Sequence, residues 1–201
     1  EVKVEPDEDL PIVKIDPAEI LTCDEEVILL SADDSSQGND FEYQWTVVTN
    51  GNILSGATAL EIEVDEPGTY QLEITDITKN CKSAATIIVE QNIQAPTAEA
   101  GIPAEFDCTI TSVKLDGGGS STGENYGYQW LTDDGAIMEG ENSLTPSITT
   151  AGTYQLIVTD FRNGCTAMDE VIIPINENFP SDAELNIQAP KCYGDENGSV
   201  L

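Results

Sequence analysis

An internal repeat constrains this chain of 201 residues more than any other feature. The tripeptide Tyr-Gln-Trp occurs at residues 43–45 and again at residues 128–130. The pentapeptide Gly-Thr-Tyr-Gln-Leu begins at Gly68 and recurs from Gly152, at nearly the same offset. Landmarks that recur in one order and at one spacing predict two copies of a single structural unit.

The repeat predicts how the chain is divided. Module one covers residues 11–93 and module two covers residues 94–178, while residues 1–10 are a linker or the end of a preceding module. Residues 179–201 differ in type and are interpreted as the truncated start of a third β module. Since the sequence starts without Met and stops within a predicted strand, we expect it to be a piece of a longer polypeptide.

Each module is predicted to be all-β. Residues 69–75 alternate strictly between polar and apolar side chains, which is typical of a half-buried strand, and the second copy alternates in the same way. Turn signals such as Asn50-Gly51 separate the short strands. About seven strands in ~85 residues match the size of an Ig-like β-sandwich. The predicted core residues of the two modules are Trp45, Tyr70, Leu72, Trp130, Tyr154 and Leu156.

The segment before the strand at 69–75 adds a second sign of this fold. Residues 67–70, Pro-Gly-Thr-Tyr, resemble a tyrosine corner, in which the tyrosine hydroxyl ties a strand to a loop. We therefore expect the tyrosine of this motif to have a structural role.

Composition argues against several classes of function. The chain carries 38 acidic and 7 basic residues, for a net charge of −31, so it repels phosphate backbones and anionic membrane surfaces. No apolar run approaches the ~18 residues of a membrane span. Histidine, the commonest general base and metal ligand, is absent. We therefore expect no enzyme, no nucleic-acid partner and no direct membrane insertion.

Acidic clusters in predicted loops are the remaining candidates for ion binding. Carboxylate and amide oxygens in loops suit Ca²⁺, and the weak candidate ligands are Asp33, Asp34, Asp195 and Asn197. No segment matches an EF-hand loop. The alternative is a solvated anionic surface that keeps the protein soluble. No other cofactor is expected.

The five cysteines predict an oxidising compartment. Pairing within each module, Cys23 with Cys81 and Cys108 with Cys165, gives two nearly equal separations along the chain. Such a bond would staple an edge or end of the sandwich. The alternatives are free thiols or a pair between modules, such as Cys81 with Cys108. Cys192 is left over, and we expect its partner to lie beyond the given sequence.

The landmarks of module two resemble those of PKD-like, Ig-fold modules of bacterial surface proteins. They are Val-Lys-Leu-Asp-Gly-Gly-Gly-Ser-Ser at 113–121, Tyr-Gln-Trp at 128–130, Ala-Gly-Thr-Tyr at 151–154 and Asn-Gly-Cys at 163–165. Module one departs from the pattern where Leu-Ser-Ala-Asp replaces the Leu-Asp-Gly turn. Residues 192–199 look like the opening of a SprB-type repeat, which occurs in gliding-motility adhesins of Bacteroidota.

This resemblance implies a function that is structural and adhesive. It implies a very large secreted cell-surface protein, usually exported by the type IX system, in which such modules form an adhesin stalk or filament shaft. The expected partners are neighbouring modules of the chain, copies of itself in a filament and an unknown surface ligand. The alternative is an accessory module that helps a secreted enzyme to bind polysaccharide or protein. That function needs exposed aromatic residues, for which Phe41, Tyr126 and Phe161 are candidates.

Overall fold

The computed structural model describes residues 10–104, 106 and 110–175, together with the backbone of two short strands at 187–188 and 199–200. All regular elements of these residues are β-strands. In the described part of the chain, no helix has the length and apolar character needed to cross a membrane. The predicted all-β class is therefore confirmed.

Strands β1 to β8 form the first sandwich, from two three-stranded antiparallel sheets and one parallel strand pair. One sheet has the order β2-β5-β4, the other has the order β3-β6-β7, and β1 pairs in parallel with β8. The strands are β1 (Leu21–Thr22), β2 (Ile28–Ser31), β3 (Phe41–Thr49), β4 (Ile53–Ser55), β5 (Glu61–Val64), β6 (Gly68–Asp76), β7 (Cys81–Val89) and β8 (Gln91–Asn92).

Strands β9 to β14 form the second sandwich with the same topology. Its sheets have the orders β11-β12-β9 and β10-β13-β14, and a parallel bridge between Phe106 and Ile175 takes the place of the β1–β8 pair. The strands are β9 (Val113–Lys114), β10 (Tyr126–Leu131), β11 (Ile137–Glu139), β12 (Ser147–Ile148), β13 (Gly152–Asp160) and β14 (Thr166–Ile173). A last antiparallel pair joins β15 (Ile187–Gln188) to β16 (Ser199–Val200).

Each sandwich encloses a separate core built around one tryptophan. Trp45 and Trp130 are 1% and 2% exposed. Each indole nitrogen donates to a carbonyl oxygen, that of Ala59 at 3.1 Å and that of Ser143 at 2.9 Å. Burial of the indole is therefore combined with a satisfied polar group. The neighbouring core residues Tyr70, Leu72, Tyr154 and Leu156 are all fully buried.

A tyrosine corner fixes one end of each sandwich. The hydroxyl of Tyr70 donates to the carbonyl oxygen of Glu66 at 2.6 Å and accepts from the backbone nitrogen of Asn52 at 2.9 Å. Tyr154 makes the equivalent bonds to the carbonyl oxygen of Thr150 and the backbone nitrogen of Ala136, at 2.7 and 3.0 Å. Each hydroxyl thus ties a loop to its central strand, as the Pro-Gly-Thr-Tyr motif at residues 67–70 predicted for Tyr70.

The predicted cysteine pairs within modules are wrong. Cys23 is bonded to Cys165 of the other sandwich, and Cys81 is a free thiol. Because β1 runs parallel to β8, Cys23 lies beside the chain that leaves β7, whereas Cys81 begins β7. At about 3.3 Å per residue, the nine residues of β7 separate these two ends of the sandwich by roughly 26 Å. Cys108 lies outside the described residues.

Candidate functional site

The two sandwiches meet at a junction formed by three short segments. The turn after β1, at residues 23–26, and the linker after β8, at residues 93–96, come from the first sandwich. The turn between β13 and β14, at residues 161–165, comes from the second. The parallel pairing of Thr22 with Asn92 brings the first two segments side by side, so that the third can contact both.

A disulfide crosses the junction. The Cα atoms of Cys23 and Cys165 are 5.0 Å apart, although 142 residues separate them in the sequence. Beside the bond, the backbone nitrogen of Cys23 donates to the carbonyl oxygen of Asn163 at 2.9 Å. Cys165 is 2% exposed, so the junction shields this end of the bond from solvent.

Asn163 is the polar centre of the junction. Its side-chain nitrogen donates to the side-chain oxygen of Asn92 and to the carbonyl oxygen of Gln94, both at 3.1 Å. Its side-chain oxygen accepts from the backbone nitrogen of Cys165 at 3.0 Å. The residue is only 3% exposed. A buried amide whose bonds reach both sandwiches favours one relative orientation, because any other leaves polar groups unsatisfied.

Gly164 allows the close approach of the two sandwiches. Its φ angle is +68°, in the left-handed region that favours glycine. A Cβ atom on this residue would overlap the carboxylate of Asp24 in the first sandwich. The backbone conformation favours glycine here, and Asp24 leaves no space for a side chain.

An ion pair holds the β13–β14 turn in shape. The guanidinium of Arg162 donates to the buried carboxylate of Asp160, with one contact of 2.9 Å, and to the hydroxyl of Tyr126 at 2.8 Å. It also lies 5.3 Å from the centre of the Tyr126 ring. The side-chain bond from Arg162 is the largest cause that lowers the pKa of Asp160, and it raises the pKa of Arg162. The turn that carries Asn163 and Cys165 is thus braced from the second sandwich.

Of the two candidates for ion binding that the structure describes, Asp34 uses its carboxylate in a local ion pair. Asp34 pairs with the ammonium group of Lys14, and the side-chain bond from Lys14 lowers the pKa of Asp34. Beside them, the hydroxyl of Ser35 accepts from the backbone nitrogen of Lys14 at 2.9 Å and holds the chain that precedes β1 on the sandwich. The backbone nitrogen of Asp33 donates to the hydroxyl of Ser31.

Among the described residues, no group of three or more His, Cys, Asp or Glu side chains is arranged to hold a metal ion. The other two candidate ligands, Asp195 and Asn197, lie outside the described residues. The calcium hypothesis stays a prediction.

Asn163 and Gly164 belong to the Asn-Gly-Cys landmark of module two, but their sequence did not identify them as junction residues. A signal for them was present, because Asn163-Gly164 precedes the second cysteine of module two, whereas Lys79-Asn80 stands at the equivalent place in module one. The two copies therefore differ at the turn that, in module two, contacts the first sandwich.

Strand topology decides the class of fold. In an Ig-type sandwich, the second, fifth and fourth strands form one sheet, and the third, sixth and seventh form the other. Both sandwiches have these two sheets, and the first strand lies parallel to the last. The described residues between 10 and 175 form two Ig-like sandwiches.

Comparison with known proteins gives distant similarities. No family model matches the chain. It is 28% identical over 172 residues to the mouse dyslexia-associated protein KIAA0319-like protein, covering 76% of this chain and 16% of that protein. The chain therefore spans about a sixth of the length of this curated relative.

Two solved structures are similar at low identity. One contains the three N-terminal domains of the bacteriophage RB49 highly immunogenic outer capsid protein, with 14% identity and a TM-score of 0.42. The match covers 83% of this chain and 59% of that one. The other is a C-terminal fragment of intimin in complex with the intimin-binding domain of its translocated receptor, with 12% identity and a TM-score of 0.39. It covers 81% of this chain and 63% of the fragment.

Proposed function

We propose that this chain is a non-catalytic spacer segment of a long extracellular adhesive protein, in which a disulfide fixes neighbouring Ig-like modules in one orientation. The bond between Cys23 and Cys165 is the observation that carries the proposal. A linker alone would let the two sandwiches reorient, since interfaces between domains of one chain are usually small and mobile. Here a second covalent connection restricts that motion.

The polar contacts around the disulfide support the same function. Asn163 bonds to Asn92 and Gln94 of the first sandwich while it holds Cys165 of its own. These bonds have definite directions, so they favour one angle between the sandwiches. A repeat joined in this way keeps its direction along the chain and can present a distal binding site far from its anchor.

Cysteine chemistry and charge support an extracellular location. Structural disulfides persist in oxidising environments such as the cell surface. The net charge of −31 favours solubility and opposes association with nucleic acid and anionic membranes. Within this proposal, the resemblance to PKD-like modules and to a SprB-type repeat favours a stalk or filament shaft of a bacterial surface protein.

An accessory module that binds substrate has less support. Polysaccharide binding usually needs exposed aromatic rings, and both tryptophans are buried in the cores. Tyr126 is half-buried and bonded to Arg162, and Phe41 packs against the first core. Phe161, at 67% exposure, is the aromatic residue of the described chain that could provide such a surface.

Residual dipolar couplings of the backbone amides test the proposal. In the oxidised chain, we expect couplings from both sandwiches to fit one alignment tensor, because the junction makes them one rigid body. In Cys165→Ser, we expect each sandwich to need its own tensor. Cys81→Ser is the matched control, since it removes a thiol outside the junction, and its couplings should fit one tensor. Two independent tensors in the oxidised chain would overturn the proposal.

A further inference from the structure

Cys81 occupies, in the first sandwich, the position that Cys165 occupies in the second. Cys81 is the first residue of β7, and Cys165 directly precedes β14, which is the equivalent strand of the second copy. Cys165 is bonded to the sandwich on its N-terminal side, whereas Cys81 is a free, half-exposed thiol. The second sandwich thus shows what a cysteine at this position binds.

The turns that carry the two cysteines have the same backbone structure. The carbonyl oxygen of Asp76 accepts from the backbone nitrogen of Asn80 at 2.8 Å, and that of Asp160 accepts from Gly164 at the same distance. Asn80 and Gly164 have φ angles of +57° and +68°. The backbone therefore presents Cys81 as it presents Cys165. Lys79 and Asn80 replace Asn163 and Gly164, so the comparison carries over the position of the cysteine and not the contacts of those two residues.

Cys81 also lies at the corresponding end of its sandwich. The β13–β14 turn is at the end of the second sandwich that contacts the first. By the repeated topology, the β6–β7 turn, at residues 77–80, is at the opposite end of the first sandwich from Cys23. The free thiol consequently faces the side on which a sandwich N-terminal to the first would stack.

We propose that Cys81 is the attachment site for another sandwich of this type on its N-terminal side, joined by a disulfide to the cysteine equivalent to Cys23. The partner is a module of the same polypeptide, since a tethered neighbour has an effective concentration of about 1 mM. The inference rests on the proposed function, because it extends the observed junction by one repeat. The array would then be linked from each module to the next.

Disulfide exchange supplies the chemistry. The thiolate of Cys81 attacks a low-molecular-weight disulfide, forms a mixed disulfide with one half and releases the other as a thiol. The partner cysteine then attacks the Cys81 sulfur and releases the second thiol. Two protein thiols are oxidised, one small disulfide is reduced to two thiols, and both protons are accounted for.

A tandem chain tests this inference. Residues 1–178 are followed directly by residues 10–201, so that the second sandwich of the first copy precedes the first sandwich of the second copy. This fusion places Cys108 of the first copy 142 residues before Cys81 of the second copy, the separation observed for Cys23 and Cys165. Cys81 of the first copy has no sandwich before it and is the internal control.

The protein is equilibrated with oxidised and reduced glutathione, and its disulfides are mapped by mass spectrometry after maleimide labelling. We expect Cys81 of the second copy to lose its labelling and to be found bonded to Cys108 of the first copy. Cys81 of the first copy should stay labelled. Cys108→Ser in the first copy should restore the labelling of Cys81 in the second.

Two outcomes would overturn the inference. One is a labelled Cys81 in the second copy while Cys23 and Cys165 are bonded in both copies. The other is a bond from Cys81 to a separate chain. If Cys23 and Cys165 themselves fail to pair, the proposed function fails, and the peptide map distinguishes that result from the first two.

Discussion

Cys23 and Cys165 are separated by 142 residues, yet their Cα atoms lie 5.0 Å apart and belong to different sandwiches. The polypeptide therefore connects the two sandwiches twice, once through the linker and once through sulfur. Two connections at neighbouring points of one end restrict both bending and rotation about the linker. This arrangement makes the junction, rather than either sandwich, the feature that distinguishes the chain from a string of independent repeats.

Removing the disulfide should destabilise the chain by an amount that reflects the long loop it closes. In the chain-entropy model, a loop of this length contributes about 5 kcal/mol to the free energy of unfolding. We expect Cys165→Ser to lower that free energy by up to this amount in urea denaturation under oxidising conditions. Cys81→Ser should leave it unchanged. Equal losses in the two variants would contradict the pairing described here.

Gly164→Ala should open the junction while both sandwiches stay folded. Alanine at positive φ costs about 1 kcal/mol, and here its Cβ would also overlap Asp24. We expect the Cys23–Cys165 bond of this variant to be reduced more readily by dithiothreitol. Asn80→Ala is the matched control, because it places alanine at the same backbone conformation away from the junction. A similar increase in Asn80→Ala would refute the role of contact with Asp24.

Tyr70→Phe and Tyr154→Phe should each destabilise one sandwich. Each change removes a hydroxyl that donates to a loop carbonyl and accepts from a backbone nitrogen. A buried backbone group left without its partner costs about 1–3 kcal/mol. Thermal unfolding followed by tryptophan fluorescence measures the loss, since Trp45 and Trp130 report on the two cores. Tyr128→Phe is the comparison variant, because it removes a hydroxyl that donates to the Ser121 carbonyl oxygen in a loop outside the tyrosine corner.

Acid should weaken both sandwiches through two buried aspartates. The bond from the Thr78 hydroxyl is the main cause that lowers the pKa of Asp76, and the bond from Arg162 is the main cause for Asp160. Because the folded pKa lies below the ordinary value of 3.8, their stabilisation is complete above that pH. This stabilisation is lost as the pH falls through the lowered pKa that the two carboxyl groups have in the folded protein.

Urea midpoints measured across this acid range test the prediction. The double variant Asp76→Asn and Asp160→Asn should start less stable and lose less stability as the pH falls. Asp133→Asn changes an exposed carboxylate and should keep the pH dependence of the natural chain. An unchanged pH dependence in the double variant would show that other carboxylates control acid unfolding.

Most of the fold could be predicted from the repeated motifs. Alternation in residues 69–75 and its copy predicted β6 and β13, and the positions of Trp45 and Trp130 predicted a core in each copy. These features depend on local periodicity and on the burial of large side chains, which a sequence displays directly. The Ig-like topology followed from the number and spacing of such strands.

The cysteine pairing could not be predicted in the same way. Nearly equal separations within the two modules suggested internal bonds, but a repeat makes equivalent separations equal whichever cysteines pair. The pairing depends on the parallel β1–β8 contact, which places Cys23 and Cys81 at opposite ends of one sandwich. Two-residue strands such as β1 have no periodicity to detect. Because the β1–β8 pair brings the junction segments together, the junction around Asn163 could not be predicted either.

The closed loop between Cys23 and Cys165 determines how the molecule responds to tension. A pull on its two ends passes along the first strand to Cys23, crosses the disulfide to Cys165 and leaves through β14. The 142-residue span between the two sulfurs lies outside this covalent path, although it would reach roughly 480 Å if drawn straight. In each oxidised pair of sandwiches the disulfide therefore prevents this loop from being drawn out, and reduction of the bond would release its length.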